Sequence, residues 1–313
     1  MSNMTVSVSP HIKDKTSTKS IMRDVIIALT PALIASVLIF GMRALLVTAV
    51  CVAFSVGSEW AFEKIVKKPN TIGDLSAAVT GALLAFNLPV GIPLWQAAFG
   101  SIVAIVVVKQ LFGGLGQNFA NPAITARIVM LLAFSSTMTT WVFPGLVSSA
   151  TPDALSGATP LVILKGETSA ALPSIRDMLL GVHGGCLGET SAIALVAGGI
   201  YLLVRRVISW HTPVAFIGTV FLFTLILGEQ PVYQLLSGGL LLGAIFMATD
   251  YSTTPSTNWG RIIFGVGCGL ITVLIRVWGN YPEGVSFSIL LMNILTPYIS
   301  KLTAKKPLGG AEV

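Results

Sequence analysis

Ten stretches of this chain are apolar over most of the length needed to cross a bilayer, and they leave little material for a soluble core. A spanning helix needs about 20 mostly apolar residues. The stretches lie near 24–41, 43–60, 73–89, 93–110, 122–139, 189–208, 212–228, 234–250, 260–278 and 284–301. The third is diluted by Asp74, Ser76, Thr80 and Asn87. The expected fold is an all-α polytopic membrane protein of about ten transmembrane helices. Composition agrees: 10% of the 313 residues are charged, against roughly 25% in soluble domains. Residues 1–23 are polar and basic and carry no apolar core or cleavage site of a secretory signal.

The basic residues test the helix count. With the N-terminus in the cytoplasm and the helices alternating, 15 of the 19 Lys and Arg residues fall inside and 4 outside. Cytoplasmic loops of membrane proteins carry such an excess. Both termini are therefore expected in the cytoplasm of a cell membrane protein. The net charge of +6 reports topology and contact with the bilayer, and it calls for no nucleic acid. The expected organisation is a cytoplasmic arm at 1–23, a five-helix half at 24–139, an outer loop at 140–188, a second five-helix half at 189–301 and a cytoplasmic tail at 302–313. The segment from Glu59 to Lys68 reads as charged and cytoplasmic, with Lys64, Lys67 and Lys68 as a solvated juxtamembrane anchor.

The two halves share a faint pattern. Gly81-Ala82 matches Gly243-Ala244, Pro93 matches Pro255, and Asn121-Pro122 matches Tyr281-Pro282. Five helices separate the copies, so they would run in opposite senses, as inverted repeats do. Small residues from Asp74 to Leu84 allow close helix approach. Three glycines between Gly113 and Gly116 break regular helix before Pro122, which suits a first helical turn. Arg127 follows one turn later, and a charge there must face protein, a cavity or the interface. Asp74, Glu189 and Asp250 are candidate ion-path carboxylates on the same cost argument, although each lies near a helix end. Cys51, Cys186 and Cys268, with His11, His183 and His211, have no metal-ligand spacing, so no metal site is expected.

The long outer loop holds a polar island from Asp153 to Leu161. Pro160 restricts Thr159 to extended backbone, which would hold its hydroxyl away from the chain. Further on, the glycine-rich turn from Gly181 to Gly188 leads into Glu189-Thr190-Ser191. It could present free amides to an anion or a flavin edge. It could equally end in a cap by Thr190 or Ser191.

Taken in order, these motifs resemble one family, the D subunits of the Rnf complex, an ion-translocating ferredoxin:NAD oxidoreductase. The sister family comprises the B subunits of the sodium-pumping NADH:quinone oxidoreductase. The resemblance rests on residues 9–12, Leu75 to Leu84, Lys109 to Ala123, Ser156 to Leu161, Gly188 to Ser191, Met247 to Asp250 and Arg276 to Gly284. Cys186 and Leu187 stand where the family often has a serine before its Gly-Glu-Thr-Ser run. The resemblance implies FMN joined by its phosphate to Thr159, with Asp153, Ser156, Gly157 and Ala158 completing the motif read by a flavin transferase. It implies a translocase subunit, not catalytic alone, that relays electrons and is coupled to Na⁺ or H⁺ movement. The implied partners are other membrane subunits and an outer-face flavin-bearing subunit. A non-covalent riboflavin is implied without a position. The competing reading is a ten-helix secondary transporter or channel with no redox role, and a covalent flavin separates the two.

Overall fold

The computed structural model describes residues 16–142, 159–166, 171–189, 191–279, 281 and 283–304. The candidate motif residues Asp153, Ser156, Gly157 and Ala158 lie outside this set, as do most of the N-terminal arm and the C-terminal tail.

Helix α1 (Thr18–Phe40) and helix α2 (Met42–Val66) form the expected hairpin. It turns at Gly41, whose φ of 76° is open to a residue without a Cβ. Helix α3 (Ser76–Phe86) follows a 3-10 turn, and α4 (Leu94–Gln110) changes from α to π geometry at Val103. Helix α5 (Pro122–Ala133) begins at Pro122, as expected, with Asn121 capping it through Ala123 N and Ile124 N. A single turn at Ser135–Met138 follows, and then two short helices, α6 (Pro160–Leu164) and α7 (Ile175–Leu180). Then come α8 (Ala192–Val204), capped by Ser191, and α9 (His211–Ile226). Helix α10 (Pro231–Leu236) is separated from α11, which runs Leu240–Leu242 and continues as the π segment Gly243–Met247. Helices α12 (Asn258–Trp278) and α13 (Val285–Thr303) complete the chain.

Among the described residues, four helices are long and apolar enough to cross a membrane: α1, α2, α12 and α13. The other expected spans are shorter or broken. At 1.5 Å per residue, the 11 residues of α3 reach about 16 Å, half of a hydrocarbon core of roughly 30 Å. The expected helix at 234–250 is interrupted at Gly238 and Gly239, whose φ values of 67° and 66° turn the chain out of helix. The segment from Glu59 to Lys68 is corrected as well. Helix α2 continues through it to Val66, and Glu59 and Glu63 are buried.

The molecule exposes large apolar side chains and buries several charged ones within its apolar core. Leu38, Ile65, Ile226 and Leu302 are among the large hydrophobic side chains most exposed, while Glu59, Lys109, Arg127 and Arg276 are almost wholly covered. Lipid accepts the first set, and the second must be satisfied within the bundle. This supports a multi-pass membrane protein. Packing is tight where small residues let backbones approach. A Cβ at Gly198 would collide with Ala28 O, so α8 lies directly on α1. Helix α2 packs on α3 and α4, α9 on α12, and α5 on α13.

Candidate functional site

The short helices and their breaks converge on a buried centre around Arg127, which is 4% exposed. Its guanidinium donates to Asn87 Oδ1 at 3.1 Å and Ser286 Oγ at 3.0 Å, pairs with Glu283, and lies 3.5 Å from Cys186 Sγ. Asn87 ends α3, Cys186 precedes α8 and Ser286 opens α13, so one side chain ties together both halves of the chain. The expectation that Arg127 faces protein holds in this arrangement.

Cys186, Glu189 and Glu283 bring ligand-type atoms within 4.8 Å of one another. Arg127 already supplies Glu283 and Cys186 with the positive charge that a bound cation would bring. Glu189 is buried and accepts from Cys186 N at 3.4 Å. The Cys186 thiol donates to Asn87 O at 3.3 Å, and burial pushes its pKa up. It is therefore a protonated packing residue, not a nucleophile.

The glycine-rich turn does not offer free amides at its end. Leu187 N and Gly188 N donate to Leu88 O and Phe86 O. Gly188 is pressed against the Phe86 ring, which a Cβ at that position would strike. The turn is a clasp on the end of α3, because its donors satisfy carbonyls left open there. Arg276 does the same for the broken helix. It donates to Gln234 O, Ser237 O and Gly238 O at 2.5, 2.9 and 3.3 Å.

A second buried charge lies at α4. Lys109 is 1% exposed, and its Nζ donates to Glu59 Oε1 and Ser76 Oγ, both at 2.6 Å. Gln110 Nε2 adds a third contact, to Glu59 Oε1 at 2.7 Å. Consecutive residues reach one carboxylate because the π geometry widens this stretch of helix. Ser76 Oγ donates in turn to Asp74 Oδ1, the same oxygen that accepts Ser76 N at 2.7 Å and caps α3. Asp74 therefore closes the N-terminus of α3, the end where its charge suits the helix dipole. Lys109 lines a cavity of about 90 Å³ with Asn118, Asn121 and Asp250. A water occupies roughly 30 Å³ of liquid, so this space suits a few waters. Asn118 Oδ1 is buried without a protein partner. Asp250 accepts from Ser252 Oγ and Thr253 Oγ1.

Polar side chains join the two regions. Asn121 donates to Met247 O at 3.3 Å, Asn87 Nδ2 lies 3.5 Å from Met247 Sδ, and Asn87 Oδ1 accepts from Arg127. Met247 ends the π segment of α11. A line of polar groups therefore runs from the cavity to the Arg127 centre.

Thr159 has the extended backbone expected before proline, with φ −67° and ψ 156°. Its hydroxyl is not held away from the chain. It caps α6 by accepting from Val162 N at 3.4 Å, and the residue is 9% exposed. Leu161 fills the space beside Gly238, and Lys165 donates to Gly279 O at 2.7 Å. The segment after Thr159 is docked on the broken helix and the end of α12. The sequence reading missed the Glu59–Lys109 pair and the role of Glu283. Their one signal was charge within or beside apolar runs.

Comparison with known proteins gives the lineage. The NQR2, RnfD, RnfE family matches residues 5–309. The chain is 48% identical over 313 residues to the D subunit of the Na(+)-translocating ferredoxin:NAD(+) oxidoreductase complex of Acetobacterium woodii, covering 99% of this chain and 97% of that protein. It is 43% identical over 320 residues to the D subunit of the proton-translocating ferredoxin:NAD(+) oxidoreductase complex of Clostridium ljungdahlii, covering 97% and 96%. With the D subunit of the ion-translocating oxidoreductase complex of Stutzerimonas stutzeri, identity is 38% over 329 residues, covering 94% and 93%. The chain belongs to the NQR2, RnfD, RnfE family, among the D subunits of the Rnf complex.

Proposed function

We propose that the chain is a membrane subunit of an ion pump driven by electron flow between ferredoxin and NAD, bearing FMN as a phosphoester on Thr159. The observation that carries the ion-pump half is the buried polar line from the Lys109 cavity through Asn121, Met247 and Asn87 to Arg127. Similarity over nearly the full length to D subunits of ferredoxin:NAD oxidoreductases supports the redox half. One of those relatives is named for sodium and another for protons, so the proposal leaves the ion as Na⁺ or H⁺.

The residues present suit an ester at Thr159. Its secondary hydroxyl makes one long contact, to Val162 N, so an ester there gives up little local bonding. FMN bound there supplies one- and two-electron redox chemistry. The chain's part is to hold that threonine against the α10–α11 break through Leu161 and Lys165. Within the bundle, water enters the small cavity, and Asn121 and Asn87 offer oxygen and nitrogen atoms further on. Arg127 fixes a positive charge on the line, balanced by Glu283. The proposal includes a non-covalent riboflavin and assigns it no position.

The proposed topology keeps ten membrane-crossing positions in two inverted halves, with both termini cytoplasmic and Thr159 on the outer face. Contacts of α1 with α8 and of α5 with α13 support it, because these pairs join equivalent members of the two halves. The test is denaturing electrophoresis of chain produced with its flavin transferase. A flavin-fluorescent band is expected from the wild type and none from Thr159→Ala. Fluorescence persisting in that variant refutes the assignment, and a wild-type chain without flavin refutes the redox reading.

A further inference from the structure

We propose that the face of α2 towards α4 is a binding groove for one anionic phospholipid. Phe54, Gly57, Ala61, Phe62, Ile102 and Val106 line an open apolar groove of about 540 Å³ on the outside of the bundle. That volume lies in the roughly 300–1,000 Å³ range of ligand-holding clefts. Gly57 and Ala61 give it a low floor one helical turn apart, and the phenylalanines stand as walls.

The groove ends beneath a basic rim. Lys64 Nζ lies 4.8 Å from the centre of the Trp60 ring, and Lys68 Nζ lies 5.8 Å from that of Phe62. Phe62 belongs to both the groove and the rim. Trp60 is half exposed, the amphipathic ring that marks a membrane–water interface. The nearest acid does not neutralise the rim. Glu63 is buried and accepts from Thr71 N at 3.2 Å. Among the described residues no ion pair involves Lys64, Lys67 or Lys68. An apolar slot at acyl-chain depth under unpaired lysines at headgroup depth is complementary to a lipid with a negative phosphate head. A partner's transmembrane helix would fill the slot and leave the lysines without a counter-charge, so the rim selects the lipid. The inference stands independently of the flavin.

The test uses the purified full-length chain, stripped of lipid, in native mass spectrometry. Phosphatidylglycerol and phosphatidylcholine with matched acyl chains are the probes. The wild type is expected to retain phosphatidylglycerol in preference, by on the order of fivefold per engaged lysine. Lys64→Gln with Lys68→Gln should reduce retention to the phosphatidylcholine level. Gly57→Leu should lose both lipids. A Cβ at Gly57 meets nothing within 4 Å, so the leucine fills the groove without displacing protein. Equal retention of the two lipids by the wild type overturns the proposal, as does undiminished retention by Gly57→Leu. In the intact complex, a photo-crosslinker at position 57 should capture lipid, and capture of a protein helix there also overturns it.

Discussion

Replacing Arg127 with leucine should unfold the centre of the bundle more than any surface change. The substitution removes the partner of Glu283 and the donor to Asn87 Oδ1. Breaking a buried ion pair from one side costs about 3–5 kcal/mol. The Glu283 side chain is 19% exposed, so water recovers part of this and the lower figure, about 3 kcal/mol, applies. A buried acceptor left without its donor adds about 1–2 kcal/mol. The sum, about 4–5 kcal/mol, is a large part of the roughly 5–15 kcal/mol that holds a typical domain folded. Each kcal/mol moves a thermal midpoint by about 2–4 °C in a chain of 150–250 residues. The midpoint of Arg127→Leu should therefore fall by on the order of 10 °C, read as loss of monodisperse protein in detergent after heating. Adding Glu283→Gln removes the stranded charge and should recover more than half of that loss. A single variant within about 2 °C of the wild type, or a double variant no better than the single, would refute the electrostatic account of this centre.

Lys109→Met strands the fully buried Glu59 carboxylate, so it should cut folded yield sharply, and Glu59→Gln in the same chain should restore much of it. Gly188→Ala drives a methyl into Phe86; size-exclusion yield should fall, and a normal profile would show that the clasp can move. Cys186 is buried, protonated and engaged with Asn87 O, so maleimide should not label it between pH 6 and 8 until the protein is denatured. Labelling in the folded state would contradict its placement.

Parts of this structure were legible in the sequence and parts were not, for physical reasons. Helices α1, α2, α12 and α13 are uniformly apolar over a bilayer's thickness, so hydropathy finds them. The shortness of α3 is hidden because Leu75 takes a φ of 66° without being glycine, and no residue preference announces it. The break before α11 is carried by Gly238-Gly239, a pair that sits inside an otherwise apolar run. Glu59 and Lys109 are 50 positions apart, and apolar periodicity says nothing of a pair made across helices. Arg127 was found because a lone charge in an apolar run must be satisfied by protein. The glycine-rich turn was visible as a turn, but whether its amides were free depended on Phe86 and Leu88, whose proximity is a property of the fold.

The docking of Thr159 bears on the order of events during biogenesis. A residue 9% exposed, with its hydroxyl turned to Val162 N, is closed to another enzyme's active site. A transferase acting on that hydroxyl needs the segment lifted from Gly238 and Gly279, as it is in a newly inserted chain before α10 to α12 have assembled. On the proposed attachment, esterification therefore precedes this docking. On the same proposal, chain that packs unmodified stays so, and the flavin content of a preparation measures the fraction modified before docking.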